Sequence, residues 1–419
     1  MFKCPLSLLG ATLAACVSSR PAPQAGWFRD PGGAGRGEVG GVAAGANGVV
    51  FAVGHTEEGA FIAAYDGGGA QLWSRKVDGG GKGRGYAIAL DGRGGVVAAG
   101  GLGEGDELRC FVSSLDAASG RERWTIRSDG AGQHYCRAVA IDGGDVVLAG
   151  HFTGTLKLAA EAFDSRGKGD IFLARLEGQS GAVRWVRRFG GKGNDIARAV
   201  AVIPGGDIVL GGQFSGEVPP ADGEVDFGGG ALRSRGDFDA LIARFTAEGL
   251  HIWSRSFGDT GFDIVKSVTV DGGGDIFASG ALMRPQGDWG GQPPLLAGVM
   301  DGFLSRWSAD GRLLWQRLLR ADKSQAHALA LDGAGRIWVA GHFVGTLELG
   351  ERKLPVASDN STFIAAFSPL GEALWGRSFF AGYAYAIAPA SNGRIALGGV
   401  RAGAGGFVGC VAPDLAGRE

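Results

Sequence analysis

Apolar and polar residues alternate in short runs along this chain, and glycine closes nearly every run. One segment type recurs: alternating apolar positions, a tight turn, and a second apolar run ending in Gly. It reads GGVAAGANGVVFAVG from Gly40, YAIALDGRGGVVAAG from Tyr86, RAVAIDGGDVVLAG from Arg137 and RAVAVIPGGDIVLGG from Arg198. It returns as KSVTVDGGGDIFASG from Lys266, HALALDGAGRIWVAG from His327 and YAIAPASNGRIALGG from Tyr385. A period of two predicts strands. Asp-Gly and Asn-Gly in the turns supply the positive φ that hairpins need. Each copy is therefore expected to be a two-stranded hairpin whose first strand begins with small residues.

A second segment type follows each of these: a strand, a turn and a Trp strand, as in DIFLARLEGQSGAVRWVRRFGG. Trp73, Trp124, Trp185, Trp253, Trp315 and Trp375 complete six copies, whereas the last, GFVGCVAPDLAGRE, has no Trp. Trp27 stands alone ahead of the first unit. From Trp27, Trp73, Trp124, Trp185 and Trp253 the next unit's first small residue lies 14 positions on. The Trp27 strand is therefore expected to serve as the outer strand of the last unit. The prediction is an all-β fold: a seven-bladed β-propeller with four-stranded blades, closed by that strand. Closure removes the open sheet edges that invite aggregation. An Arg lies two positions after the Trp in every unit except the one with Ile126, on the same strand face. These Arg residues are read as structural, stacked on the Trp or paired with neighbouring acids.

Composition narrows the picture. Of 419 residues, 80 are Gly, but only 14 are Pro and Gly has no three-residue period, so collagen is excluded. The 41 basic and 43 acidic residues are well mixed, with a net charge of −2, and there is no basic stripe for nucleic acid. The N-terminus, MFKCPLSLLGATLAACVSS, has Lys3, a short apolar run and then Leu13-Ala14-Ala15-Cys16. Small residues before a cysteine resemble the lipobox of bacterial lipoproteins, which implies cleavage and acylation at Cys16. The domains expected are a signal peptide over 1–15, lipidated Cys16 and a tether over 16–25, and a single propeller over 26–419. Val17 after Cys16 points to the outer membrane. Cys110 and Cys136 fall near the same rim of neighbouring units, so a disulfide is possible in such a compartment; Cys410 reads as buried.

The repeats, with RWVRRFGGKGNDIARAVAV as the clearest stretch, resemble the bacterial β-propeller proteins known as SBBP-repeat proteins, over roughly residues 27–413. Lipidated forms of that family are common in Myxococcus-like δ-proteobacteria. The resemblance implies an envelope or secreted location and no defined reaction. A second stretch, LDAASGRERW, resembles the docking motif of quinoprotein propellers and of the outer-membrane assembly lipoprotein BamB.

Candidate chemistry is sparse. Insertions gather between second and third strands, in SGEVPPADGEVDFGGGALRSRGDFD and LMRPQGDWGGQPPLLAGVMDG, and Trp289 lies in the second of these. Loops carry binding, so this face is the expected binding face. Asp170, Asp239 and Asp301 precede third strands there, and Asp195 and Asp263 precede first strands. Calcium needs six to eight oxygens; it is conceivable if these acids converge, and turn-capping is the alternative. His55, His151 and His342 follow the Gly that closes a second strand, while His134, His251 and His327 look scattered. No nucleophilic or zinc motif is present. The expectation is a monomeric, lipid-anchored envelope module that binds a protein or glycan, without catalysis and without cofactor. A propeller enzyme acting on polysaccharide or with a quinone is the alternative.

Overall fold

The structure, a computed structural model, describes residues 26–31, 37–78, 82–216, 223–283, 298–356 and 359–415. Cys16 with its tether and Trp289 lie outside the described residues. The fold is an all-β propeller. The main strands form five separate four-stranded sheets and one seven-stranded sheet, each antiparallel and meandering in chain order. In the large sheet the strand Ala373–Pro389 serves two quartets. Its start pairs with Ser361–Phe367 and its end with Ile395–Arg401.

The first strands of successive quartets are neighbours, and the strand Glu38–Ala44 neighbours Ala373–Pro389, so the first strands close a ring around the axis. Trp27–Arg29 pairs with Gly405–Val411, with Trp27 opposite Cys410. The N-terminal strand thus supplies the outermost strand of the final quartet. Core clusters lie between neighbouring sheets: Ala138, Val147 and Leu173 of one pack on Val200, Leu210 and Leu241 of the next. Burying one such aliphatic side chain stabilises by roughly 1.5–3 kcal/mol.

The Trp column fastens each sheet to the next. Trp27 donates its indole N–H to the Gly67 carbonyl (3.0 Å), Trp73 to Ala117 (3.0 Å), Trp124 to Gly178 (2.8 Å) and Trp253 to Ala309 (2.9 Å). Each acceptor lies in the turn between the third and fourth strands of the following sheet. Beneath each indole sits a turn glycine at positive φ, such as Gly69 under Trp27 (φ +84°) and Gly311 under Trp253 (φ +82°). A side chain there would meet both a strained backbone and the ring. Trp27 makes its bond to the first sheet, so it closes the ring twice, by strand pairing and by this latch. The Arg two positions on stacks on its Trp: Arg29, Arg187, Arg255 and Arg317 lie 5.3–5.9 Å from the ring centroids. These Arg residues donate to turn carbonyls rather than to acids, as Arg29 does to Gly69 (2.9 Å) and Arg75 to Gly120 (3.1 Å). Turn carbonyls left unpaired by a tight glycine turn are the nearest acceptors.

The expectation that small residues begin the inner strands needs correction. Each first strand carries a β-bulge at the same place, before its small residue. The residue passed over in pairing is Gly40, Tyr86, Arg137, Arg198, Lys266, His327 or Tyr385. A bulge re-aims the extra side chain out of the alternation. The carbonyl two residues before it lies close against the facing strand. There the residue is always Gly: a Cβ on Gly54 would lie 2.0 Å from the Glu38 oxygen, on Gly150 1.8 Å from that of Tyr135, and on Gly280 1.8 Å from that of Ile264. The glycine that closes every second strand answers a steric demand.

Candidate functional site

The bulges build a site. Their side chains line a cavity of about 340 Å³ on the propeller axis, together with Glu38, Arg84, Phe262 and Ile264. These last four lie at the starts of first strands or just before them, so the cavity opens on the face that carries the second-to-third-strand loops. Its wall is strongly cationic: Arg84, Arg137, Arg198 and Lys266 face one carboxylate, Glu38. Among the described residues none of the four cations makes a salt bridge.

Aromatic rings brace these charges. The Arg137 guanidinium lies 4.2 Å from the Tyr86 ring centroid and 4.6 Å from that of Tyr135, and Tyr135 stacks on His151 at 4.5 Å. The Nε atoms of Arg137 and Arg198 are buried without a hydrogen-bond partner. Lys266 Nζ donates to Gln325 Oε1 (2.6 Å) and lies 3.0 Å from His327 Nδ1. His327 Nε2 lies 2.8 Å from His342 Nδ1. His327 and His342, on adjacent strands, thus form a chain from Lys266, and His327 is not scattered.

Desolvation holds Lys266 down to about 7, helped by repulsion from Arg198 and Lys323. Burial lowers Arg198 to about 10, with Arg137 adding repulsion. Burial, then the neighbouring cations, likewise depresses His327, and His342 falls to about 3. Burial raises Glu38, against the pull of Arg84 and Arg137. Arg198 and Lys266 are thus desolvated like charges on one wall, and a bound anion would relieve that crowding.

The acids singled out in the sequence lie off the axis. Asp170, Asp195, Asp239, Asp263 and Asp301 are all buried. Asp195 accepts from the Gly191 N–H (2.7 Å), Asp239 from Arg235 N–H (3.0 Å), and Asp263 from Asp259 (3.0 Å) and Met283 (3.0 Å). Asp170 accepts from the Arg166 N–H and from Arg188 Nη1 (3.1 Å), and Asp301 from the Ala321 N–H (3.3 Å). Two of them come close together: a Cβ on Gly258 would touch both an Asp263 oxygen (2.7 Å) and an Asp239 oxygen (2.9 Å). Burial raises Asp195 and Asp263 to about 7 and Asp239 to about 6. Among the described residues no three His, Cys, Asp or Glu side chains converge to hold a metal ion. Cys110 and Cys136 are joined as a disulfide, Cα atoms 5.1 Å apart, and Cys410 is buried and free.

The family model described as "Outer membrane protein assembly factor BamB" matches residues 58–280. No curated protein sequence matches the chain significantly. Among solved structures, the Dos1 propeller is similar over 93% of this chain and 94% of its own, with 9% identity and a TM-score of 0.50. Quinohemoprotein alcohol dehydrogenase from Comamonas testosteroni covers 91% of this chain with 68% of its own, at 12% identity and a TM-score of 0.48. A europium-containing methanol dehydrogenase covers 88% of this chain with 77% of its own, at 10% identity and a TM-score of 0.44. These shape likenesses concern the fold alone. They do overturn one expectation: the absence of sequence motifs for nucleophilic or zinc catalysis does not mark this chain as a non-enzyme, because propellers of similar shape include dehydrogenases. Of the two resemblances, the family match supports the one to BamB.

Proposed function

This chain belongs to the family of the outer membrane protein assembly factor BamB, and from that premise we propose that it is a lipid-anchored propeller of the bacterial envelope that scaffolds another envelope protein. The observation that carries the reading is the family match over residues 58–280. Geometry supports it on the face that carries the insertions. Short hairpins rise there at Thr155–Leu158 with Glu161–Asp164, at Gly223–Asp226 with Ala231–Ser234, and at Leu347–Leu349 with Arg352–Leu354. Val356, beside the last of these hairpins, and Val299, in the loop before Asp301–Trp307 on the same face, are exposed apolar side chains, which suit a protein contact. Cys16 would carry the lipid and hold the propeller at the outer membrane.

The test is membrane fractionation and intact mass of the native protein beside a Cys16→Ala variant, followed by crosslinking in cells from cysteines placed at 299 and 356. The reading expects acyl mass on the wild type, a soluble variant, and a discrete envelope-protein adduct. Unmodified, freely soluble wild type without adducts sinks it. A second reading, a propeller enzyme, is favoured by one observation, the axial cavity with its crowded and perturbed cations. It expects turnover that Lys266→Gln abolishes.

A further inference from the structure

The axial cavity holds charge that the protein does not neutralise. An Arg side chain stays protonated in nearly any protein setting. Burying such a group without a counter-charge is costly unless something pairs with it. Here Arg137 and Arg198 each keep a buried, unpartnered Nε. Arg84 and Lys266 line the same cavity, and Glu38 is the single carboxylate set against the four. A protein that needed only to fill its axis could have placed an aliphatic residue at each bulge, as it places Gly40 at the first.

The cations are also pre-aimed. The bulge sets the backbone of Arg137, Arg198 and Lys266, and Tyr86 and Tyr135 clamp the Arg137 plane. Donors held in place lose little freedom on binding, which favours affinity. The fork of Arg donors matches planar or tetrahedral oxyanions, and charge-assisted bonds of that kind are the strong ones. Four cations against one carboxylate leave room for more than one negative charge. The cavity of about 340 Å³ limits the guest to a small molecule.

We propose that the axial cavity is a binding site for a small anion carrying two or more carboxylate or phosphate groups, held by Arg84, Arg137, Arg198 and Lys266. The site is independent of the scaffold reading, since it lies on the axis and involves neither the lipid anchor nor the hairpins of the rim.

The experiment is calorimetric titration of the full chain with citrate and, separately, with inorganic pyrophosphate, at low ionic strength where screening is weak. One molecule bound per chain is expected for at least one probe. Arg137→Gln and Arg198→Gln should each weaken it tenfold or more, and Glu38→Gln should tighten it several-fold. A preference for citrate assigns carboxylates to the natural guest, and a preference for pyrophosphate assigns phosphates. Thermal melting of each variant without anion, expected at or above the wild-type value, separates lost binding from lost folding. Absence of binding by both probes in the millimolar range overturns the site. So does binding that the Arg variants leave unchanged.

Discussion

Two columns of residues repeat around this propeller, one on the rim and one on the axis, and they are filled by opposite rules. The rim column is uniform: Trp27, Trp73, Trp124, Trp185, Trp253, Trp315 and Trp375. The axial column, Gly40, Tyr86, Arg137, Arg198, Lys266, His327 and Tyr385, shares one backbone geometry yet carries five residue types. A contact made again and again leaves no freedom: the six indoles from Trp27 to Trp315 each meet the glycine turn of the next sheet. A bulge requires only that a glycine face it. The side chain it projects faces the axial cavity rather than the seam between two sheets, and such a position is open to ligand chemistry. Uniformity at equivalent positions therefore marks structure, and variety marks the candidate site.

The comparison breaks first where the bulge is attacked. Gly150→Ala puts a Cβ 1.8 Å from the Tyr135 carbonyl, so the strands must part. A loss of about 4 kcal/mol or more is expected in urea unfolding, against under about 1 kcal/mol for Gly333→Ala, where a Cβ meets nothing within 4 Å. Next comes the rim. Trp253→Ala removes a buried ring and its bond to Ala309, and roughly 3 kcal/mol should be lost. A loss no larger than that of an exposed substitution would show that the Trp column is not what fastens the sheets.

The buried acids give a third, pH-dependent effect. The Asp263 carboxyl stands at about 7 in the fold, raised first by burial, against about 4 unfolded. A raised acid contributes its full stability below the unfolded value and loses it as pH rises to the folded one. Asp263→Asn should therefore gain on the wild type by roughly 2–4 kcal/mol between about pH 4 and pH 8, read from paired unfolding curves. A pH-independent difference would mean the carboxyl is not desolvated.

The smallest effect should come from the axis. Arg198→Leu is expected to change stability by less than about 1 kcal/mol, or to raise it, since replacing an uncompensated buried charge is often neutral or favourable. If it costs as much as Trp253→Ala, the axial column is packing and the contrast between the columns fails.

The repeat, the alternation within it and the orphan Trp27 were legible because strand periodicity and hairpin turns are local properties of the chain. The closing of the ring by Trp27 follows from counting units, and its pairing with Cys410 agrees with that count. The axial site was not legible in the same way, although its signal stood at the head of every repeat copy but the first, where a charged or aromatic residue precedes the small one. Alternation alone assigns that position to a sheet face. Only the bulge, a one-residue register shift between two strands, turns it toward the axis.

The acids teach the converse. Asp170, Asp195, Asp239, Asp263 and Asp301 caught the eye because they recur, yet the fold spends them on backbone N–H groups at loop ends and, for Asp170, on Arg188. The sequence by itself determined the strands, their order and the closing role of the Trp27 strand, because each depends on residues near in the chain or on a pattern that repeats. Which side chains share the axis, and with what balance of charge, was decided by the tertiary structure alone. Residues as far apart as Glu38 and Tyr385 become neighbours only when the ring closes.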